Sequence, residues 1–431
     1  MSEAEPASLL QQRSFRRLTA ARLTSRIAQY SLNFALVLLV VEATGRAFFS
    51  SLLVLALVLP TTGAGLVSGA LADVFPRRLL MITGHVLRAI LCFAVVGDDL
   101  GAPSYFTLAV LLSMTTPIAT AAEGATLPAI VDRPLLARAN AISQATNGLA
   151  QVAGFGIVTP VLLRVFGSAD ALFLACGVLF LLAAVNALLI GRVRSPAQSE
   201  IGRDGGDPWY VAGWRALRSD PRTWRATLEL TLISTSAIIL AGLVPAYLQD
   251  VLGLSVDIGV VALVPGVIGV GFGLRLAGFL ARRVRHSVLS STGFLIYVVS
   301  LLGLSAVNPS SDFLAGYGPL SWLDSIDIGG FDGAAVLASV WVVPLGFSFA
   351  LVSVAAQTVL NDLLPLRLQG RAQATQTVFA ALAASAPVLI GGAVADVVGV
   401  APVMAAVAVV TAIIAAARPG SISGQVALAA R

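Results

Sequence analysis

Six ionisable side chains stand inside long apolar runs of this sequence: Arg26, His85, Arg88, Glu123, Glu229 and Arg275. A charge at mid-bilayer costs about 2.5–3.5 kcal/mol on insertion scales, so each of them needs a partner or water. The two carboxylates carry the chemistry that such a setting allows. Glu229, more than a turn into the predicted seventh helix, and Glu123, near the inner end of the predicted fourth, could each take up and release a proton. Each could equally serve as a structural partner of Arg26 or of Arg88, the intramembrane charge of the third helix. His85 ranks below both as a proton carrier.

Arg22, Arg26, Gln29 and Asn33 recur at intervals of four, three and four residues, which places them on one face of a helix. Asn140, Gln144, Asn147 and Gln151 share a face in the same way. A polar stripe turned to lipid is costly, so each stripe faces either a water-filled cavity or a hydrogen-bonding neighbour helix. Cavity lining is the reading for Arg26, Gln29 and Asn33, and interhelical contact the reading for the second stripe. No phosphate-cradling glycine loop or Cys/His cluster accompanies them, and His85 and His286 are the only histidines. The expectation is a protein that is not an enzyme and uses no metal and no cofactor. Cys92 and Cys176 both fall in apolar runs, where they read as small core residues and not as a disulfide.

The elements that must hold these residues are membrane helices. Of 431 residues, 57% are hydrophobic and 11% charged, and the mean hydropathy is +0.91. Soluble domains carry roughly a quarter of charged residues. The apolar runs are continuous and not alternating, which excludes a β-barrel and predicts an all-α membrane protein. Twelve spans are expected at 21–41, 48–70, 79–97, 104–128, 140–164, 169–191, 224–248, 256–280, 286–307, 334–358, 371–394 and 399–417. They group into six-helix halves at 1–191 and 224–418, a cytoplasmic linker at 192–223 and a cytoplasmic tail at 419–431. Trp209, Tyr210 and Trp214 in the linker suit a short helix lying at the interface. The acidic, turn-rich segment 308–333 reads as an outer cap.

All 27 basic residues are Arg. The net charge of +5 is scattered over short loops, so it signals topology and not nucleic acid. Alternate loops carry Arg77 and Arg78, Arg133 and Arg138, then Arg282, Arg283 and Arg285. The opposite loops carry only Arg46 and Arg164. Both termini are then cytoplasmic, in a multi-pass protein of the cell's inner membrane.

Residues 69–78 read GALADVFPRR, a polar turn between the second and third spans. Small residues there allow close helix approach. Asp73 can pair with Arg77 and Arg78 across the turn, or the arginines can cap a neighbouring helix. Two weak echoes suggest duplication: ARANAISQAT at 137–146 aligns with LRLQGRAQAT at 366–375, and GFLARRVRH from Gly278 with the 69–78 turn.

The 69–78 stretch resembles the loop 2–3 signature of the major facilitator superfamily, matched at Gly69, Leu71, Ala72, Asp73, Arg77 and Arg78. Val74 and Pro76 depart from it, where a basic residue and a glycine are usual. FRRLTAARLTSRIAQ, Glu42-Ala43-Thr44-Gly45, Leu87-Arg88-Ala89, LPAIVDRPLLARANA and YLQDVLGLS are similar to twelve-helix exporters of the macrolide and enterobactin type. The resemblance implies two pseudo-symmetric six-helix halves, a cavity between them, alternating access and export coupled to proton entry. By itself the 69–78 stretch fits a plain turn as well as a latch; its cytoplasmic place and the echo at Gly278 make Gly69, Asp73, Arg77 and Arg78 read as a conformational latch. Gln29 stands where such exporters often carry an acid, and Phe155 takes the proline place of the helix-five antiporter motif around Gly148 and Gly154.

The expected function is efflux of amphipathic small molecules, drug-like or siderophore-like, by a monomer in the lipid bilayer, with protons as the candidate coupling ion. The alternatives are an importer or lipid-like solute carrier of the same fold, and a transport-inactive scaffold or sensor.

Overall fold

A computed structural model describes residues 9–97, 101–132, 135–166, 168–191, 209–254, 256–280, 283–310 and 332–417. Every regular element among them is helical. The first seven helices are α1 (Arg13–Thr44), α2 (Ala47–Val74), α3 (Arg77–Phe93), α4 (Ala102–Ile130), α5 (Leu136–Ala153), α6 (Thr159–Phe166) and α7 (Ala169–Leu188). After a short α8 (Trp209–Arg218) come α9 (Pro221–Ala246), α10 (Val256–Leu280) and α11 (His286–Ser305). The last three are α12 (Gly333–Leu363), α13 (Leu366–Val398) and α14 (Val400–Ala416).

Ten of the described helical rods are long and apolar enough to cross a membrane, with α5 and α6 counted as one. α3 and α14 have 17 residues each, the lower end of the ~17–25 that span a bilayer. With α8 set aside, these rods correspond one for one to the twelve expected spans. Side chains such as Ile268, Phe272, Leu382 and Ile390 are large, apolar and exposed, as lipid contact requires and water does not.

Residues 69–78 are mostly helix, which corrects the expected polar turn. α2 runs through Val74, Phe75 donates its amide to the Leu71 carbonyl at 2.9 Å, and α3 begins at Arg77. The turn is therefore Phe75 and Pro76 alone. Pro76 needs no amide partner at a helix start.

The chain divides into two compact units, residues 1–43 with 56–205, and residues 44–55 with 206–431. In the first unit α3 packs on α4 and α7, and Phe15, Leu18, Met81, Ala122 and Leu127 form a buried cluster. A π-turn at Gly154–Val158 joins α5 to α6, at the place of the degenerate helix-five motif. There α5 touches α1 closely: a Cβ on Gly154 would lie 2.6 Å from the Ile27 carbonyl oxygen. The Gly154 carbonyl accepts the Thr159 amide of the π-turn and also receives Ser31 Oγ at 3.0 Å and Thr159 Oγ1 at 2.9 Å.

In the second unit α10 and α11 pack on α12, and α9 and α8 on α13. A Cβ on Gly346 of α12 would collide with the Gly266 carbonyl of α10, the small-residue contact that bilayer helices use to approach. The opening turns of α2 belong here. Asp396 of α13 accepts from the amides of Ala47 at 2.7 Å and Phe48 at 3.3 Å, and Ser50 Oγ donates to the Gly242 carbonyl of α9 at 2.6 Å. A carboxylate thus caps the N-terminus of α2 from 349 positions away.

α8 falls in the segment expected to be linker. Its Ala216 and Leu217 are buried in a cluster with Leu230 of α9, Leu360 of α12 and Ala372 of α13. Arg218 lies 5.4 Å from the Trp214 ring and 5.0 Å from the Trp224 ring, a cation–π clasp. Of the remaining expectations, linker residues 192–208, the central part of the outer cap at 311–331 and the tail from 418 lie outside the described residues, as do the side chains of Trp209 and Tyr210.

Candidate functional site

The first unit holds a polar cavity of about 380 Å³. Arg22, Arg26 and Tyr30 of α1, Glu123 of α4, and Ser143 and Asn147 of α5 face it. Residues 22, 26 and 30 succeed one another at helical spacing, which puts them on one stripe of α1. Behind the cavity wall the chain buries a connected polar network reaching α3.

Arg22 anchors the network on the cavity side. Its Nη1 donates to Ser143 Oγ at 2.7 Å and its Nη2 to the Glu123 carbonyl at 2.8 Å. Its Nε stands 3.7 Å from Glu123 Oε2, an ion pair without a short hydrogen bond. The second carboxylate oxygen, Oε1, faces His85 Nε2 at 3.4 Å. Although the two lie within ion-pair range, their alignment is too poor for a hydrogen bond, and both atoms are buried without one. Buried polar atoms left in this state are rare and costly.

Arg88 is fully enclosed. Its Nε donates to the Gly84 carbonyl at 3.1 Å, its Nη1 to Gln29 Oε1 at 3.2 Å, and its Nη2 meets His85 Nδ1 at 2.8 Å. The Phe180 ring centroid lies 4.6 Å from its Cζ. A guanidinium can only donate, so His85 Nδ1 must accept and the imidazole is neutral with its hydrogen on Nε2. That hydrogen is on the side of Glu123. Gln29 Oε1 also accepts from Thr116 Oγ1 at 3.0 Å, while its Nε2 donates to Asn33 Oδ1 at 2.7 Å.

These contacts place the expected site residues as follows. Arg26 and Glu123 face the cavity. Gln29 is buried against Arg88, one side of the stripe away from Arg26, and Asn33 serves as its acceptor. Arg88 has the neutral partners Gly84, Gln29 and His85 and no carboxylate at hydrogen-bond distance, and Glu123 pairs with Arg22. Glu229 lies in the second unit with both oxygens engaged: Oε1 accepts from Arg225 Nε at 3.0 Å and Oε2 from Ser290 Oγ at 2.8 Å. Arg77 donates to the Ala125 carbonyl at 2.7 Å, and Arg78 to the Leu188 carbonyl at the end of α7. The side chains of Gly69, Asp73 and Gln144 lie outside the described residues. Asn147 accepts from Tyr30 Oη at 3.2 Å.

Sequence reasoning misses one part of this site. Tyr30 follows Gln29 and is aromatic, so a search for polar positions passes over it. The bridging place of His85 was legible, because His85 and Arg88 are three apart on one helix and must share a face.

Among the described residues no group of acidic, Cys and His side chains could hold a metal ion, and Cys92 and Cys176 are buried free thiols.

No curated protein matches the chain by sequence. Among solved structures it is similar to a mutant of the nucleoside transporter NupG, with a TM-score of 0.72 at 11% identity over 93% of this chain and 98% of that one. A bacterial homologue of the human lysosomal transporter Spinster gives 0.71 at 15% identity over 94% and 96%. A POT family transporter in complex with a thioalcohol-conjugated peptide gives 0.73 at 10% identity over 94% of each. At such identities the likeness is one of fold. The family model described as Major Facilitator Superfamily matches residues 18–385, so the chain belongs to the major facilitator superfamily.

Proposed function

We propose that the protein is a secondary transporter that exports small amphipathic molecules by alternating access, and that Glu123 couples export to protons. The observation that supports the coupling role is the contrast between the two buried carboxylates. Glu229 is held by a 3.0 Å ion pair and a 2.8 Å hydroxyl bond, which leaves its charge compensated in one fixed arrangement. Glu123 faces a cavity, is paired with Arg22 at 3.7 Å, stands 3.4 Å from the neutral His85, and keeps one oxygen without a hydrogen bond. A group that must gain and lose a proton during a cycle needs a route to water and alternatives for its charge; Glu123, though buried, lines a cavity and stands near both Arg22 and His85. The export direction rests on the resemblance of the sequence to twelve-helix exporters.

The test is flux in proteoliposomes under an imposed pH gradient, with a panel of amphipathic dyes and siderophore-like chelators. Gradient-driven movement is expected for wild type and its loss for Glu123→Gln. Flux of no panel member would overturn the transporter reading, and flux that ignores the gradient would overturn the coupling. The direction of movement separates export from import.

A further inference from the structure

We infer that the cavity of the first unit selects organic anions, with Arg26 as the anchor of the anionic group. The inference deepens the transporter reading and names its substrate class. It begins with a charge inventory. Around the cavity and the network behind it stand three guanidiniums, Arg22, Arg26 and Arg88, against one carboxylate, Glu123, among the described residues. Because Arg88 fixes His85 in its neutral form, the histidine does not alter the balance.

The three arginines differ in what occupies them. Arg88 spends its donors on Gly84, Gln29 and His85, and is sealed from the cavity. Arg22 is held by Ser143 and the Glu123 carbonyl, with the Glu123 carboxylate beside it. Arg26 faces the cavity and makes no hydrogen bond or ion pair with a described residue. The guanidinium's five N–H donors, a planar fork, are therefore not spent on any described residue, beside a space of about 380 Å³. A carboxylate, sulfonate or phosphate matches that fork with two parallel hydrogen bonds. The side-chain amides of Asn140 and Asn147 at the cavity add neutral N–H donors for its remaining oxygens. An organic cation meets the opposite situation: the single carboxylate is already shared by Arg22, and the cation would stand among guanidiniums.

The experiment uses the purified full chain in lipid nanodiscs and matched probe pairs that differ only in charge: naphthalene-2-carboxylate and its carboxamide, naphthalene-2-sulfonate and its sulfonamide, naphthyl phosphate and naphthol. Binding is read by titration calorimetry and thermal shift. The anionic member of at least one pair is expected to bind about tenfold or more tightly than its neutral partner, the size of one charge-assisted hydrogen bond. Arg26→Gln is expected to erase that preference without weakening the neutral probe, and Arg26→Lys to keep most of it. Equal binding within every pair, binding of no anionic member, or an unchanged preference in Arg26→Gln would each overturn the inference. So would stabilisation by chloride as large as that by any organic anion, which would make the pocket a halide site. The wild-type comparison decides the matter even if Arg26→Gln fails to fold. Anion-selective binding without flux would sink the transporter reading and leave this one. Gradient-driven flux confined to neutral or cationic compounds would do the reverse.

Discussion

Replacing Glu123 with Gln should tighten anion binding, not weaken it. The Glu123 carboxylate and a bound anion seek the same guanidiniums, so removing the carboxylate's charge removes a competitor. The ionisable groups facing Glu123 are Arg22 and Arg26 from α1 and His85 and Arg88 from α3, while the described α5 side chains at the cavity are neutral. At an effective dielectric of about 20, charges 3.7 Å apart attract by about 4 kcal/mol. Cavity water and the partial exposure of Arg22 reduce what a ligand can recover, to about 1–2 kcal/mol, the range of a charged hydrogen bond. That corresponds to roughly tenfold tighter binding of the preferred anion in Glu123→Gln at neutral pH. Arg22 keeps its place in the variant, since its bonds to Ser143 Oγ and to the residue-123 carbonyl do not use the carboxylate. Titration with naphthalene-2-sulfonate at fixed neutral pH makes the comparison, because the probe is fully ionised. Equal or weaker binding by Glu123→Gln would refute the reasoning.

Glu229→Gln should lower the thermal stability of the protein, because Arg225 loses its 3.0 Å partner, yet leave pH-gradient-dependent flux in place; collapse of the gradient dependence would move the coupling role to the second unit. Arg88→Lys keeps the charge but cannot supply the guanidinium's three-way contact with Gly84, Gln29 and His85. A loss of about 1–3 kcal/mol is expected in thermal unfolding in nanodiscs, and wild-type stability would show that the network carries no weight. Gly346→Ala sets a methyl against the Gly266 carbonyl, whereas a Cβ at Gly271 meets nothing within 4 Å. Unfolding midpoints should fall for the first, by a cost of about 1–3 kcal/mol, and stay put for Gly271→Ala. Asp73→Asn should slow transport while leaving probe affinity nearly intact, as a latch residue would; a variant weakened mainly in affinity would contradict that role.

Hydropathy made the spans legible because a bilayer permits so few alternatives: every backbone amide must be paired within its own segment, so a continuous apolar run of about twenty residues is a helix. The turn at 69–78 was harder. Asp73, Arg77 and Arg78 look like loop residues by composition, but α2 carries the chain to Val74 and the arginines reach back to carbonyls of α4 and α7, so long polar side chains snorkel from within helices. The charge pairing was the least legible part, for a reason that bears on function. A helical wheel says that Arg22, Arg26, Gln29 and Asn33 share a stripe, but a stripe about 100° wide can touch two neighbours. Which member meets which neighbour depends on how close the helices come, and small residues decide that. Gly84 of α3 admits Ala119 of α4, its missing Cβ only 2.9 Å from the alanine methyl, and Gly154 admits the α1 backbone at Ile27. The first approach brings α3 against α4 and the second brings the start of the π-turn against α1. A bulkier residue at Gly84 would therefore be felt at Glu123 and His85, the pair that already stands 3.4 Å apart without a hydrogen bond. An anion selectivity of the cavity, as proposed, would thus be set by packing as much as by the arginines that line it.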